Sequence, residues 1–258
     1  KRQAEQHAVL FAAGLAKAGM IPVAPIYSSF LQRAYDQIIE DVCIQNQHVI
    51  FGVDRAGLVG ADGETHHGVF DLSYLSSIPN MTVFAPADGA QLEEMLEYAV
   101  KNMNSPVAIR YPRGSSKFDH LKLKAFTGTN IKLSDGADIT IFAVGNMLDT
   151  ALDAARELMS KGYDVGVTNV CVVSPFEEDL TKIDTKLVIT IEDNVIRGGF
   201  GEILAAKAIE TENNYGLITS GVPDKFIEQG SIEQLRIECR MTANDIVKGA
   251  TEYFERKA

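Results

Sequence analysis

The sequence predicts an α/β fold of two tandem domains, each a mainly parallel sheet covered by helices, and three observations point there. Apolar runs short enough for strands alternate with helical patterns of ten or more residues, the spacing that parallel neighbours need for their crossovers. At 258 residues the chain exceeds one typical core of about 100–150 residues. The alternation also stops at a polar, aperiodic stretch from about Pro112 to Asp135 and then restarts. These features divide the chain into residues 1–120, a linker 121–134 and residues 135–258.

In order, the first half predicts a helix from about Glu5 to Ala18, a strand at PVAPIYS and a helix from about Leu31 to Gln45. Strand VIFGVD follows, then the loop LVGADGETHHG, strand TVFAP, a helix from about Gly89 to Lys101 and strand PVAIRY. The second half opens on DITIFAVG, a continuous apolar run, and on helix LDTALDAARELMSKG, which Gly162 stops. VGVTNVCVV, KLVITIED, the glycine-rich IRGGFGEILAAKAIE and a terminal helix from about Thr242 complete it.

Composition narrows the function. Hydrophobic residues make up 46% and charged residues 23%, within the range of ordinary globular proteins. A net charge of −11 and a pI near 4.9 repel nucleic acid and anionic lipid, so a phosphate-bearing ligand needs a local basic cluster. Cys43, Cys171 and Cys239 are odd in number and far apart, which fits reduced thiols and a cytoplasmic setting rather than disulfides or zinc. The amino end starts basic and runs into an apolar stretch, but Glu5, Gln6, His7 and Lys17 interrupt a signal-peptide reading. No segment reaches the roughly 20 apolar residues of a membrane span.

Ligands collect at the carboxyl ends of parallel strands, so polar loops there are the first candidates. Glu5 stands at a helix start, where the dipole favours a carboxylate; it is either an exposed first-turn acid or a functional one. Tyr27, Phe30 and Arg33 follow a strand and open a helix, as an aromatic surface with a cation or as core plus a surface ion pair. The loop holds Asp62, Glu64, His66 and His67 among glycines. That is no recognised zinc pattern, and the choice lies between a structural loop and one that approaches a ligand closely with a histidine for proton transfer or anion binding. Arg110 and Arg113 end strand AIRYPRG, and a guanidinium fork suits a phosphate or carboxylate. RGGFG lacks the GxGxxG spacing and the P-loop lysine, which favours close packing or an interface over phosphate binding.

Taken together, AEQHAV, YSSFLQRAYDQ, DRAGLVGADGETHHGVFDLSYL, IPNM and RYPRG resemble the pyrimidine-binding domain of the 1-deoxy-D-xylulose 5-phosphate synthase family. GNMLDTALDAARELMSKG, IED with GGFGE, and GVPDKFIEQGS resemble that family's transketolase-type C-terminal domain, so the likeness covers nearly the whole chain. It implies a transferase that condenses pyruvate with D-glyceraldehyde 3-phosphate, losing carbon dioxide through a thiamine diphosphate ylid, in isoprenoid-precursor, thiamine and pyridoxal biosynthesis. By the same resemblance Glu5 is catalytic and binds the cofactor's aminopyrimidine, and Phe30 packs on that ring. Asp62 and His66 would be catalytic, and Tyr27, Arg33, Arg110 and Arg113 would bind substrate. The chain departs from the family pattern at Glu40 and at VVSPFEED. It has no GDG with a downstream asparagine, so the resemblance places the magnesium and diphosphate site on a missing amino-terminal domain or subunit. It also implies a homodimer and a chain inactive alone. The alternatives are a β-type subunit of a split transketolase or 2-oxo acid dehydrogenase, and a non-catalytic assembly module.

Overall fold

A computed structural model describes residues 4–115 and 121–257. The KRQ start, the end of the 1–120 segment at 116–120, and residue 258 lie outside the described residues. The chain runs α1 (Glu5–Lys17), β1 (Val23–Tyr27), α2 (Ser28–Leu31), α3 (Tyr35–Gln37), β2 (Ile50–Asp54), α4 (Asp71–Ser76), β3 (Thr82–Phe84), α5 (Gly89–Asn102) and β4 (Val107–Arg110). It continues with β5 (Ile131–Ser134), β6 (Ile139–Val144), α6 (Leu148–Ser160), β7 (Val165–Val170), β8 (Val172–Ser174), β9 (Leu187–Val195), α7 (Phe200–Glu210), β10 (Gly216–Val222), α8 (Ile232–Glu238) and α9 (Ala243–Glu255).

Two five-stranded sheets result, in the orders β1-β2-β4-β3-β8 and β10-β9-β6-β7-β5. Each is parallel except for one antiparallel edge strand, β8 on β3 and β5 on β7. The central strands β4, β7 and β9 are buried along their whole length, which fits their mainly apolar sequences, and the polar residues at their carboxyl ends, Arg110, Asn169 and Glu192 to Asn194, are buried with them. Helices cover them with stripes at helical spacing, as in α6, where Leu148, Ala151, Ala154, Ala155 and Leu158 are buried.

Three departures from the sequence reading have physical causes. Ile131–Ser134 falls inside the stretch read as linker but forms an edge strand, whose four residues alternate apolar and polar over too short a span to stand out. VGVTNVCVV reads as one strand, yet it splits at Cys171, and β8 leaves the second sheet to pair with β3 of the first. The helix expected from about Leu31 to Gln45 is broken: α2 and α3 flank a 3₁₀ turn at Gln32–Ala34, and a π-helical turn follows at Ile38–Cys43. Its apolar residues Leu31, Ala34, Ile38, Val42 and Cys43 still face the core. Changes of helical pitch in so short a span are common beside functional sites.

Candidate active site

The first sheet presents its site residues through strand register. Tyr27 is paired with Asp54 and Val53 with Arg110, so the ends of β1, β2 and β4 lie side by side. β1 runs straight into α2 at Ser28, which puts Tyr27 and Phe30 one helical turn apart. Their rings stack at 5.5 Å. β2 runs into the loop 55–68, whose ends close on each other: Gly57 N–H donates to Gly68 O at 2.6 Å and Gly68 N–H to Gly57 O at 2.8 Å. Glycine is required at Gly68, because a Cβ would stand 2.3 Å from Arg55 O and 2.6 Å from the Ser28 side chain.

From these elements a continuous strip of contacts emerges. The Glu5 carboxylate, 11% exposed, lies 3.3 Å from the Arg33 guanidinium. The start of α1 has no side-chain cap, so Glu5 also complements the dipole of its own helix. Arg33 sits over the Phe30 ring at 4.7 Å, and His66 meets the same ring edge-on at 5.4 Å. Beyond Tyr27, Arg55 covers the phenol ring at 4.1 Å and pairs with Asp62 at 3.1 Å. Asp62 accepts in turn from Arg113 at 2.7 Å. Ala4, Glu5, Ala8, Pro25, Tyr27 and Phe30 line a groove of about 390 Å³ at one end of the strip. At the other, Arg55 and Arg113 border a cleft of about 1010 Å³ between the sheets.

Seven of the eight expected site residues therefore line or adjoin one surface, and Arg110 does not. It is 3% exposed, its Nε donates to Asp71 Oδ2 at 2.7 Å and its Nη2 to Asp71 Oδ1 at 3.2 Å and Asp193 O at 2.9 Å. Burial disfavours the charged guanidinium, but the Asp71 carboxylate, together with Asp193 and Glu192, more than offsets this and its pKa is raised. The expectation that Arg110 binds substrate is corrected: its fork is taken by protein partners. Arg55 is the member the sequence reading missed. It directly follows strand IFGVD, and its backbone adopts φ 57°, a left-handed conformation uncommon outside glycine.

The two histidines of the loop separate in role. His66 is partly exposed, with Nδ1 2.9 Å from Thr65 Oγ1. His67 is buried; its Nδ1 accepts Val59 N–H at 3.1 Å, which leaves Nε2 to donate to Glu228 O at 3.2 Å. Among the described residues no group of three His, Cys, Asp or Glu could hold a metal ion. The RGGFG start of α7 is occupied by Glu192, whose oxygens accept the N–H groups of Phe200 and Gly201 at 2.8 Å each. A Cβ at Gly199 would lie 2.4 Å from that carboxylate, so these glycines serve close packing.

Residues 4–117 match the transketolase pyrimidine binding domain and residues 128–246 the transketolase C-terminal domain. A solved structure described as a split gene transketolase, an inactive beta4 tetramer, is 31% identical, with a TM-score of 0.86 over 97% of this chain and 81% of that one. The chain belongs to the transketolase family. Its pyrimidine-binding domain carries the strip from Glu5 to Arg113, and its C-terminal domain supplies β9 and α7. Curated relatives named 1-deoxy-D-xylulose-5-phosphate synthase include one from Clostridium tetani, 48% identical over 236 residues, and one from Geobacter sulfurreducens, 46% identical over 258 residues. The chain spans 38% and 40% of their lengths. Transketolase from Campylobacter jejuni, 19% identical with a TM-score of 0.79, shares the fold. No helix among the described residues is long and apolar enough to cross a membrane.

Proposed function

We propose that this chain is the C-terminal portion of a 1-deoxy-D-xylulose 5-phosphate synthase, providing the pyrimidine half of a thiamine diphosphate site and the surface that receives pyruvate and D-glyceraldehyde 3-phosphate. The observation that carries the reading is the unbroken strip Glu5–Arg33–Phe30–Tyr27–Arg55–Asp62–Arg113, with His66 on its flank. Its groove suits the cofactor's pyrimidine: Phe30 and Tyr27 offer a flat apolar wall, and Glu5 offers a shielded carboxylate to a ring nitrogen. When bound, the cofactor supplies a carbon nucleophile and an electron sink for decarboxylation. Glu5 holds the ring nitrogen's proton. His66 meets the Phe30 ring edge-on, where it can bind a carboxylate or move a proton. Arg55 and Arg113 share one carboxylate, Asp62, so their forks keep donors to offer, and with Arg33 they would hold a phosphate. Asp62 orients both guanidiniums.

In this reading magnesium and the diphosphate belong to a further domain or subunit, the C-terminal domain contributes to a homodimer, and the enzyme works in the cytoplasm. A split transketolase β-type subunit is the second reading, favoured by the relative described as a split gene transketolase. The acceptor decides between them. The chain is mixed with the diphosphate-binding domain of a homologous synthase, thiamine diphosphate, magnesium and pyruvate, and offered glyceraldehyde 3-phosphate, ribose 5-phosphate or lipoamide. Product from glyceraldehyde 3-phosphate with pyruvate as donor supports the synthase; turnover with another acceptor alone refutes it.

A further inference from the structure

The carboxyl end of β9 reaches out of its own sheet and takes hold of the loop that carries Asp62 and His66. Asp193 is 1% exposed. Its Oδ1 accepts Leu58 N–H at 3.0 Å, its Oδ2 accepts from Asn146 Nδ2 at 3.0 Å, and the Arg236 guanidinium lies 4.0 Å from that second oxygen. The carboxyl group presses against Gly57, where a Cβ would stand 2.3 Å away. The next residue holds the other end of the segment: Asn194 Oδ1 accepts Leu72 N–H at 3.3 Å, and its Nδ2 donates to Ser73 Oγ at 3.0 Å. Val195 N–H then donates to Val69 O at 2.8 Å. Three consecutive residues of the C-terminal domain thus clasp residues 57–73 of the pyrimidine-binding domain at both ends.

We propose that Asp193 is a positioning residue that fixes, from the C-terminal domain, the loop presenting Asp62 and His66 to the substrate surface. The inference rests on the functional reading above for its catalytic consequence, but its structural content is independent of it. An ionised carboxylate is acceptor-only, and a charge-assisted bond from Leu58 N–H is roughly twice as strong as a neutral one. The contact falls one residue after the loop's closure at Gly57, so releasing it loosens the start of the span that leads to Asp62. The second domain also meets the loop at Gly60, whose O accepts Gly230 N–H at 3.5 Å, and near its end through the His67 bond to Glu228 O.

Hydrogen exchange on the 258-residue chain tests this with wild type, Asp193→Ala and Asp193→Asn. The alanine variant is expected to exchange Leu58 and the following loop amides about tenfold faster or more, with β6 and β7 unchanged. The asparagine variant keeps an acceptor for Leu58 N–H and can bond a flipped Asn146 amide, so it retains most of the protection. Unchanged loop exchange in Asp193→Ala, a uniform loss across both domains, or asparagine behaving as alanine overturns the inference. In the active mixture, assayed well below the melting temperature of each variant, Asp193→Ala lowers kcat/KM about tenfold and Asp193→Asn restores it; full activity in both overturns the catalytic consequence. A wild-type mixture without turnover sinks the functional reading, and the exchange result still decides this inference.

Discussion

Arg110 and Asp71 form a pair whose side chains are 2% and 0% exposed, and substituting either one alone should cost more stability than substituting both. Two guanidinium nitrogens reach the carboxylate, and one of them also reaches Asp193 O. Breaking a buried pair leaves one uncompensated charge, which costs about 3–5 kcal/mol, a large part of the roughly 5–15 kcal/mol that holds a folded protein together. Asp71→Asn keeps an acceptor and belongs near the lower figure. Arg110→Met leaves the Asp71 carboxylate and the Asp193 carbonyl unpaired and belongs near the upper. In Asp71→Leu combined with Arg110→Met neither charge of the pair is left behind, and the chief losses are the bond to Asp193 O, about 1–3 kcal/mol, and the attraction of Arg110 for the buried Asp193 and Glu192. Urea denaturation followed by far-ultraviolet circular dichroism gives the cycle. Single substitutions that cost under about 1 kcal/mol, or that add up in the double variant, would refute the reasoning.

Gly57→Ala demands a left-handed alanine, which costs roughly 1–2 kcal/mol, and drives its Cβ into Asp193; thermal melts should show a clear loss of Tm. Burial pushes the Glu192 carboxyl up to about 8, against the opposing pull of the Gly201 and Phe200 N–H groups, from an ordinary 4.5. The folded state therefore favours its protonated form, so this contribution is complete below about pH 4.5 and is lost as pH rises through about 8. Denaturation across that window should show a decline of up to about 1.4 kcal/mol per pH unit that Glu192→Gln abolishes; identical profiles would contradict the assignment. Burial also raises Cys43 and Cys171 to about 12 and Cys239 to about 11, so a disulfide reagent at pH 8 should titrate no thiol in the native chain and all three after unfolding.

Local pattern made the strand and helix framework legible, because buried parallel strands and one-sided helices write their burial directly into sequence. β8 was not legible: nothing in VGVTNVCVV says that its last residues pair with a strand about 90 residues earlier, since that choice is made by long-range pairing. The same limit explains the arginines. Arg55 and Arg110 both stand at strand ends beside polar loops, and only the third dimension reveals that Asp71 from α4 captures Arg110 while Arg55 stays over Tyr27. Glu5, Phe30, His66 and Asp62 each keep an ordinary reading beside a functional one in the residues alone, and only the family resemblance singles them out. Their assembly into one strip depends on the β1–β2 register and on the closed loop, which no spacing in the sequence encodes.

The most direct measurement is formation of 1-deoxy-D-xylulose 5-phosphate from pyruvate and glyceraldehyde 3-phosphate with thiamine diphosphate and magnesium. It is made with this chain alone, with the chain plus a homologous diphosphate-binding domain, and with that mixture carrying Glu5→Ala. Product in the wild-type mixture only, falling by about 100-fold or more without the Glu5 carboxylate, is the predicted result. Turnover by the chain alone, or a mixture indifferent to Glu5→Ala, would contradict the assignment of half a cofactor site to this surface.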